Sequence, residues 1–237
     1  MDEKASALTA AKMAAGFRAA DMVQDDMVVG LGTGSTVFYT IERLAVRIRE
    51  GLRISGIPTS YQTAQRAREY GIPLTTLDDN PILDMAIDGA DEVDPQLNLI
   101  KGRGAAHMRE KCVASAAMQF IVVVDEQKVV PHLKAPVPVE VLPFAVRPVM
   151  IQLREFGCIP TIREGVKKDG PVISDNGNFI VDCSFNEIKN PVELERALAN
   201  IPGVIESGLF CNFAEKTTVI AGSKKECRII SSLDIVS

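Results

Sequence analysis

Residues 30–36 (GLGTGST) combine glycines with hydroxyl side chains between a predicted strand and a predicted helix. Glycines let the backbone approach an anion closely, and the N-terminus of a helix offers free N–H groups and the positive end of its dipole. The spacing differs from the G-x-G-x-x-G of dinucleotide sites, and residues 54–57 offer no carboxylate for a ribose. The stretch also lacks the lysine of a P-loop. It therefore indicates a site for a monophosphate or a polar sugar, although a tight βα turn would need the same glycines.

A second stretch, residues 88–94 (DGADEVD), places four acids directly after the apolar residues 85–87. Both a solvated loop and a divalent-metal site fit this composition. An EF-hand needs glycine at the sixth loop position and an acid at the twelfth, whereas counting from Asp88 gives Val93 and Leu99. The EF-hand is therefore excluded, and the other two interpretations stay open.

Cationic side chains and one further acid follow. Residues 101–104 (KGRG) resemble a backbone nest for an anion, Glu110 lies near the start of the next predicted helix, and Lys128 follows an apolar strand. Each of these residues alone is also compatible with an ordinary surface position. Together they suit the movement of a carbonyl between C1 and C2 of a sugar phosphate, which needs a carboxylate base and a cation for the enediolate oxygen. Such a reaction requires neither a metal nor an organic cofactor if a lysine stabilises the oxyanion.

The elements that must position these residues alternate between strand and helix. We predict helices over 3–22, 37–49, 61–70 and 105–118, and strands over 27–30, 52–57, 74–77, 83–87 and 120–124. Strands separated by helices imply a parallel sheet covered on both faces, which binds ligands beyond the carboxyl ends of its strands. The three polar stretches all follow predicted strands, so we expect them to meet at that edge.

The pattern changes around residue 134, where four prolines between 131 and 143 interrupt the chain. We predict strands over 137–142, 160–163, 178–183 and 204–209, and helices over 147–156 and 192–199. This order is βαββαβ, and Asn176-Gly177 indicates a type I′ hairpin turn. Two more strands within 217–230 are expected to return to the first domain. The predicted domains are therefore 1–133 plus 208–237, and 134–207.

Composition limits the class of protein. The 237 residues carry a net charge of −5 with both signs interspersed, which argues against a nucleic-acid binder. No apolar run is long enough for a membrane span, and the acidic N-terminus does not resemble a signal peptide. Five scattered cysteines and two histidines favour neither a disulfide framework nor a zinc site, so we expect a soluble, cytoplasmic enzyme without a transition metal.

The ordered motifs GLGTGST, DGADEVD, KGRGAAHMREK and D-x-x-K (125–128) resemble those of the ribose-5-phosphate isomerase A family. The later stretches PVEVLP, DNGN, IPGV and GLF are also similar, so the resemblance covers almost the entire chain. It implies an α/β fold, with a Rossmann-like parallel-sheet domain and a smaller ferredoxin-like α+β domain, assembled as a homodimer or homotetramer. It also implies interconversion of ribose 5-phosphate and ribulose 5-phosphate in the non-oxidative pentose phosphate pathway, with no cofactor.

The resemblance also implies roles for individual residues. Glu110 is the proton acceptor, Asp88 helps in ring opening and hydroxyl proton movement, and Lys101 stabilises the enediolate. The implied substrate contacts are Thr33, Gly34, Ser35, Thr36, Asp88, Gly89, Ala90, Asp91, Lys101, Gly102, Arg103, Gly104 and Lys128.

Two positions depart from the family pattern. Arg103 replaces the middle one of three glycines, and His107-Met108 replaces a pair that is commonly threonine-like or apolar. Arg103 either points to solvent or helps the phosphate, and His107 is expected to make a local hydrogen bond. Two other classes of protein fit the sequence less well. A phosphosugar-sensing regulator would need a helix-turn-helix, for which about 20 residues before the first strand are too few. A coenzyme A transferase-like enzyme fits the short chain and the Lys101 loop less well.

Overall fold

The computed structural model describes residues 3–224 and 226–232 of the chain. Its strands, in chain order, are β1 (Val28–Leu31), β2 (Ser55–Pro58), β3 (Leu83–Gly89), β4 (Glu92–Val93), β5 (Leu99–Ile100), β6 (Ala117–Asp125), β7 (Val137–Val141), β8 (Ile159–Ile162), β9 (Phe179–Ser184), β10 (Val204–Ser207), β11 (Leu209–Phe210), β12 (Thr217–Gly222) and β13 (Cys227–Ser231). Its helices are α1 (Glu3–Asp21), α2 (Val37–Arg49), α3 (Tyr61–Glu69), α4 (His107–Ala116), α5 (Val146–Glu155) and α6 (Pro191–Ala199). No helix within the described residues is long and apolar enough to cross a bilayer.

Two compact units divide the chain. The first comprises Met1–Ala90, Arg109–Val129 and Phe213–Ser237, and the second comprises Asp91–Met108 and Val130–Asn212. Compared with the predicted domains, residues 91–108, 130–133 and 208–212 group with the second unit and not with the first. Residues 1, 2 and 233–237 of the predicted first domain lie outside the described residues.

The first unit is built on a six-stranded sheet with the order β13-β12-β6-β3-β1-β2. All neighbours pair in parallel except β12 and β13, which form an antiparallel pair at one edge. The central strands are almost entirely buried, as expected where helices cover both faces of a parallel sheet. Helix α2 buries Val37, Ile41 and Leu44, whose helical spacing places them on the one face that packs on this core. The predicted α/β domain is confirmed.

The second unit contains a four-stranded antiparallel sheet with the order β10-β7-β9-β8. Val137, Val139 and Val141 alternate along β7 and pack into one core with Val149 of α5 and Leu198 of α6. Chain order and sheet order together are those of the predicted βαββαβ arrangement. A separate small sheet, β11-β5-β4, belongs to the same unit.

Several predicted elements were wrong in detail. Residues 74–77 form no strand, because only Leu74 bridges to β2 before the chain turns at Thr76. The predicted strand over 204–209 is divided at Gly208 into β10 and β11. The predicted helix over 105–118 begins at His107 and ends at Ala116, and the following residues already belong to β6.

The turn at Asn176-Gly177 is also not of type I′. That type needs a positive φ at both central residues, whereas here only Gly177 has one, at +82°. The N–H of Gly177 donates to the carbonyl of Ser174, and the N–H of Ser174 donates to the carbonyl of Asn178. This is a three-residue loop ending in a left-handed glycine. The side chains of this loop explain why this type of turn forms, since Ser174, Asn176 and Asn178 all donate to Oε1 of the buried Glu140.

Candidate functional site

The glycine-rich loop after β1 is held from behind by a cluster of hydroxyl groups. The hydroxyl of Thr33 lies 2.9 Å from that of Thr59, 2.8 Å from that of Ser60 and 3.2 Å from that of Thr63. Thr63 in turn donates to the carbonyl of Gly32 at 2.8 Å. The Thr33 side chain, implied as a substrate contact, is thus engaged in the scaffold of the loop. Sequence reasoning missed this cluster, whose only signal is the Thr-Ser pair between β2 and α3.

The outer side of the same loop is open. Gly34 and Ser35 are exposed, and no atom lies within 4 Å of where a side chain at Gly34 would begin. Lys12 of α1 donates to the Ser35 hydroxyl at 3.0 Å. Sequence analysis missed Lys12, because nothing in a helix rich in alanine and lysine distinguishes one lysine from another. A cavity of about 410 Å³ adjoins the loop and is lined by residues that include Gly32, Gly34 and Ser35.

Asp88 at the end of β3 is buried directly beneath this loop. Its Oδ1 accepts hydrogen bonds from the backbone N–H groups of Thr33 (3.1 Å) and Gly89 (2.7 Å). A side chain at Gly32 would collide with the Asp88 carboxylate, so glycine is required for this close approach. The carboxylate therefore has a fixed orientation. The first two polar stretches lie together at one edge of the parallel sheet, as predicted, whereas residues 101–104 follow β5 of the separate small sheet.

Glu110 lies in the first turns of α4 and is only 4% exposed. Three residues further along, Val113 contacts β1 at Gly30, where any side chain would collide with it. Residues three apart share one face of a helix, so Glu110 lies on the face of α4 that packs on the sheet. In a βαβ unit the helix N-terminus lies beyond the carboxyl ends of the strands. The carboxylate is thus carried to the edge where the glycine-rich loop and Asp88 lie.

Neighbouring side chains fix the position of α4. Arg109 stacks on the ring of Tyr61, with its guanidinium carbon 4.8 Å from the ring centroid. At the other end of the helix, Lys216 donates to the carbonyls of Ser115 (3.0 Å) and Ala117 (2.8 Å). Burial of the ammonium lowers the pKa of Lys216. Lys128, half-buried in a short 3₁₀ helix after β6, lies at the carboxyl end of that strand.

The acidic stretch forms neither a solvated loop nor a metal site in the residues described. Glu92 belongs to β4, and its Oε2 accepts the N–H groups of Lys134 (2.7 Å) and Ala135 (2.9 Å). Asp94 is buried and accepts both the N–H and the side-chain amide of Asn98. Between residues 3–224 and 226–232, no group of three or more His, Cys, Asp or Glu side chains could hold a metal ion. Two of the four acids therefore have structural roles.

The Lys101 loop, residues 101–104, lies in the second unit. Lys101 is 2% exposed, its N–H donates to the carbonyl of Gly208 at 2.8 Å, and its ammonium lies 5.3 Å from the ring centroid of Phe210. Gly102 has φ +104°, and a side chain there would come within 2.7 Å of His107 Nδ1. His107 is buried, with its Nε2 3.3 Å from the carbonyl of Glu206. The burial of Lys101 and the tight turn at Gly102 both indicate that this loop has a defined conformation.

Of the remaining predicted contacts, Arg103 and Gly104 are exposed. The N–H of Arg103 donates to Oδ2 of Asp91 at 3.0 Å, which connects the Lys101 loop to the acidic stretch within the second unit. Thr36 is buried at the start of α2, and Gly89 and Ala90 are half-buried. Ala90 is the last residue of its segment in the first unit, and Asp91 begins the second.

A glycine-rich loop at the carboxyl edge of a parallel sheet, next to the N-terminus of a helix, is typical of sites that bind small phosphorylated ligands. The family model for ribose 5-phosphate isomerase A (phosphoriboisomerase A) matches residues 55–226. A curated ribose-5-phosphate isomerase A of Methanoregula boonei is 66% identical over 98% of both chains. That of Methanothermobacter thermautotrophicus is 53% identical over 92% of this chain and 96% of its own.

Solved structures agree with these sequences. Ribose 5-phosphate isomerase A of Methanocaldococcus jannaschii superposes with a TM-score of 0.88 at 46% identity, covering 93% of this chain and 97% of its own. A D-ribose-5-phosphate isomerase in complex with phospho-erythronic acid gives 0.89 at 47% identity, with the same coverage. The chain belongs to the ribose 5-phosphate isomerase A family, as its motifs indicate.

Proposed function

We propose that this isomerase interconverts D-ribose 5-phosphate and D-ribulose 5-phosphate through an enediolate, with Glu110 as the proton acceptor. The observation that carries the proposal is the buried position of Glu110 at the carboxyl edge of the sheet, where Asp88 and the glycine-rich loop also lie. A carboxylate shielded from water is a stronger base than an exposed one, and proton transfer by a positioned group is the central step of this chemistry.

The proton transfers that the isomerisation requires define the roles of the individual residues. Glu110 removes the proton from C2 of the open-chain aldose, and the electrons pass into a C1–C2 double bond, so that negative charge develops on the C1 oxygen. Return of that proton to C1, and transfer of the hydroxyl proton from O2 to O1, gives the ketose. Asp88, whose Oδ1 is oriented by two backbone N–H groups, suits the hydroxyl proton transfer and ring opening. We assign Lys101 to the developing oxyanion, because a buried ammonium stabilises such a charge strongly.

The phosphate is assigned to the glycine-rich loop and to Lys12. The exposed Gly34 and Ser35, the N-terminus of α2 and the Lys12 ammonium at Ser35 provide donors and positive charge together. The solved relative bound to phospho-erythronic acid supports a phosphorylated polyhydroxy ligand for this chain too. Following the resemblance, we assign the further substrate contacts to Thr33, Thr36, Gly89, Ala90, Asp91, Gly102, Arg103, Gly104 and Lys128.

We also propose that the enzyme is cytoplasmic and acts as a homodimer or homotetramer. None of the five cysteines, all of which lie within the described residues, forms a disulfide, which fits a reducing compartment. In the second unit Phe144 is 95% exposed and Ile159 is 71% exposed, and exposed apolar side chains of this size are often covered by another subunit. Light scattering at several protein concentrations measures the assembly, and a monomer throughout would contradict it.

The test is the conversion of ribose 5-phosphate by the wild-type chain, by Glu110→Gln and by the control Glu50→Gln, all with EDTA. Glu50 is an exposed carboxylate at the end of α2. We expect activity in the wild type and the control only, substrate binding by Glu110→Gln in calorimetry, and deuterium at C1 of ribulose 5-phosphate formed in D₂O. Normal turnover by Glu110→Gln would remove this residue as the base, and an inactive wild type that binds the sugar phosphate would favour a sensor.

A further inference from the structure

Arg163, which follows β8, connects a carboxylate of the sheet to the backbone of the Lys101 loop within the second unit. Its Nε donates to Oδ2 of Asp182 at 2.8 Å, and its Nη2 donates to Oδ1 of the same carboxylate. Its Nη1 donates to two successive carbonyls, those of Gly102 and Arg103, both at 3.0 Å. Four of the five N–H donors of the guanidinium are therefore engaged in one planar arrangement. The side chain is 18% exposed and that of Asp182 is 28% exposed.

These bonds determine where the N–H groups of the loop point. No peptide bond in the described residues is cis, so the N–H of each peptide unit points away from its carbonyl. With the carbonyls of Gly102 and Arg103 directed at Arg163, the N–H groups of Arg103 and Gly104 must face the other side. The Arg103 N–H does so, because it meets Asp91. The Gly104 N–H lies in an exposed residue, and none of the described residues accepts it.

We propose that Arg163, oriented by Asp182, is a positioning residue that turns the Gly104 N–H toward an anionic oxygen of the substrate. This inference rests on the proposed function, in which the Lys101 loop contacts the sugar phosphate. A backbone N–H group with a fixed direction can take part in an anion-binding nest, and Arg163 fixes the direction of the Gly104 N–H by holding the carbonyls on the opposite side.

A purely structural ion pair between Arg163 and Asp182 does not explain the contacts of Arg163 with the loop. The bidentate contact joins Arg163, directly after β8, to Asp182 of β9 and does not need the loop, yet the remaining nitrogen of the guanidinium contacts the loop twice. Lysine could replace the charge but not the fork, since its ammonium is a single point of donation. Arg163→Lys is therefore informative beside Arg163→Ala, and Asp182→Asn tests the orienting carboxylate.

The experiment measures kcat, KM and melting temperature for these three variants and for the control Arg196→Ala, an exposed arginine on α6. We expect Arg163→Ala to lose on the order of 10²-fold in kcat, as for a displacement of about 1 Å in a reacting group. Arg163→Lys should be similarly impaired and Asp182→Asn impaired less, with Arg196→Ala at the wild-type value. Low millimolar guanidinium should restore part of the kcat of Arg163→Ala alone, since the ion fills the vacated position. If Arg163→Ala were impaired only because it is less stable, guanidinium would lower its activity further, since this ion is a denaturant.

A second readout does not depend on activity. A protease needs a mobile segment that fits its active site, so we expect trypsin to cleave after the exposed Arg103 faster in Arg163→Ala than in the wild type, measured by mass spectrometry below the melting temperature of the variant. The inference would be overturned if Arg163→Ala had the same kcat and the same rate of cleavage as the wild type. It would also be overturned if the kcat of Arg163→Ala were lower but guanidinium did not restore it and cleavage were not faster. An inactive wild-type chain would refute the proposed function instead, and faster cleavage in Arg163→Ala would still support the positioning of the loop.

Discussion

Replacing Gly32 by alanine tests whether the close contact between the glycine-rich loop and Asp88 matters for catalysis. The added methyl group would lie 2.7 Å from the Cα of Asp88 and closer still to its carboxylate. Ordinary contact begins at 3.4 Å, and a backbone atom cannot rotate away as the end of a side chain can. The loop and Asp88 must therefore separate by at least about 0.7 Å, which also weakens the bond from the Thr33 N–H to Oδ1.

This displacement has two consequences of different size. A misplacement of about 1 Å costs on the order of 10²-fold in rate, so we expect kcat of Gly32→Ala to fall on the order of tenfold or more. Overpacking of about 1–3 kcal/mol together with a weakened hydrogen bond to a carboxylate should lower the free energy of unfolding by about 3 kcal/mol. For a chain of this length that corresponds to a decrease of about 6–12 °C in melting temperature.

The assay compares ribose 5-phosphate turnover and thermal unfolding in Gly32→Ala and in Gly71→Ala. Gly71 has φ +72° and open space around it, so alanine there costs about 1–2 kcal/mol of backbone strain without touching the loop. Gly71→Ala should therefore lose stability and keep its kcat. If Gly32→Ala turned over at the wild-type rate while folded, the fixed contact between loop and carboxylate would not be needed for the reaction.

Three further variants separate the roles of other groups. Lys12→Met should raise KM for ribose 5-phosphate about tenfold with little change in kcat, because one charge-assisted phosphate contact is lost; an unchanged KM would remove Lys12 from the phosphate site. Lys101→Ala should lower kcat about 10²–10³-fold, as for other lost oxyanion donors, whereas a change in KM alone would make Lys101 a binding residue. Glu140→Ala leaves three donors of the 174–178 turn without their acceptor and should lower the free energy of unfolding by about 3 kcal/mol, measured by urea titration; wild-type stability would contradict this.

The elements that carry the site could be predicted where the hydrophobic pattern is strong. Helix α2 has the predicted bounds, and the strands β1, β3 and β6 lie where runs of Val, Ile and Met indicated buried parallel strands. The short strands β4 and β5 were missed, because two residues show no periodicity. Their acidic composition also suggested a solvated loop, whereas Glu92 is buried by accepting backbone N–H groups, which no local pattern reveals.

The residues of the candidate site also differ in whether they could be predicted, depending on whether their partners are near or distant in sequence. Asp88, Lys101 and Glu110 each belong to a short motif, so the ordered motifs and the family resemblance that they carry were enough to single them out as candidates. Arg163 lies 61 positions from Gly102, and Lys12 lies 23 positions from Ser35. Neither residue belongs to a motif of the site, and each reaches its partner only through the folding of its own unit. The groups to which the chemistry is assigned are thus visible in this sequence, whereas the groups that hold them in place become visible only when distant segments pack together.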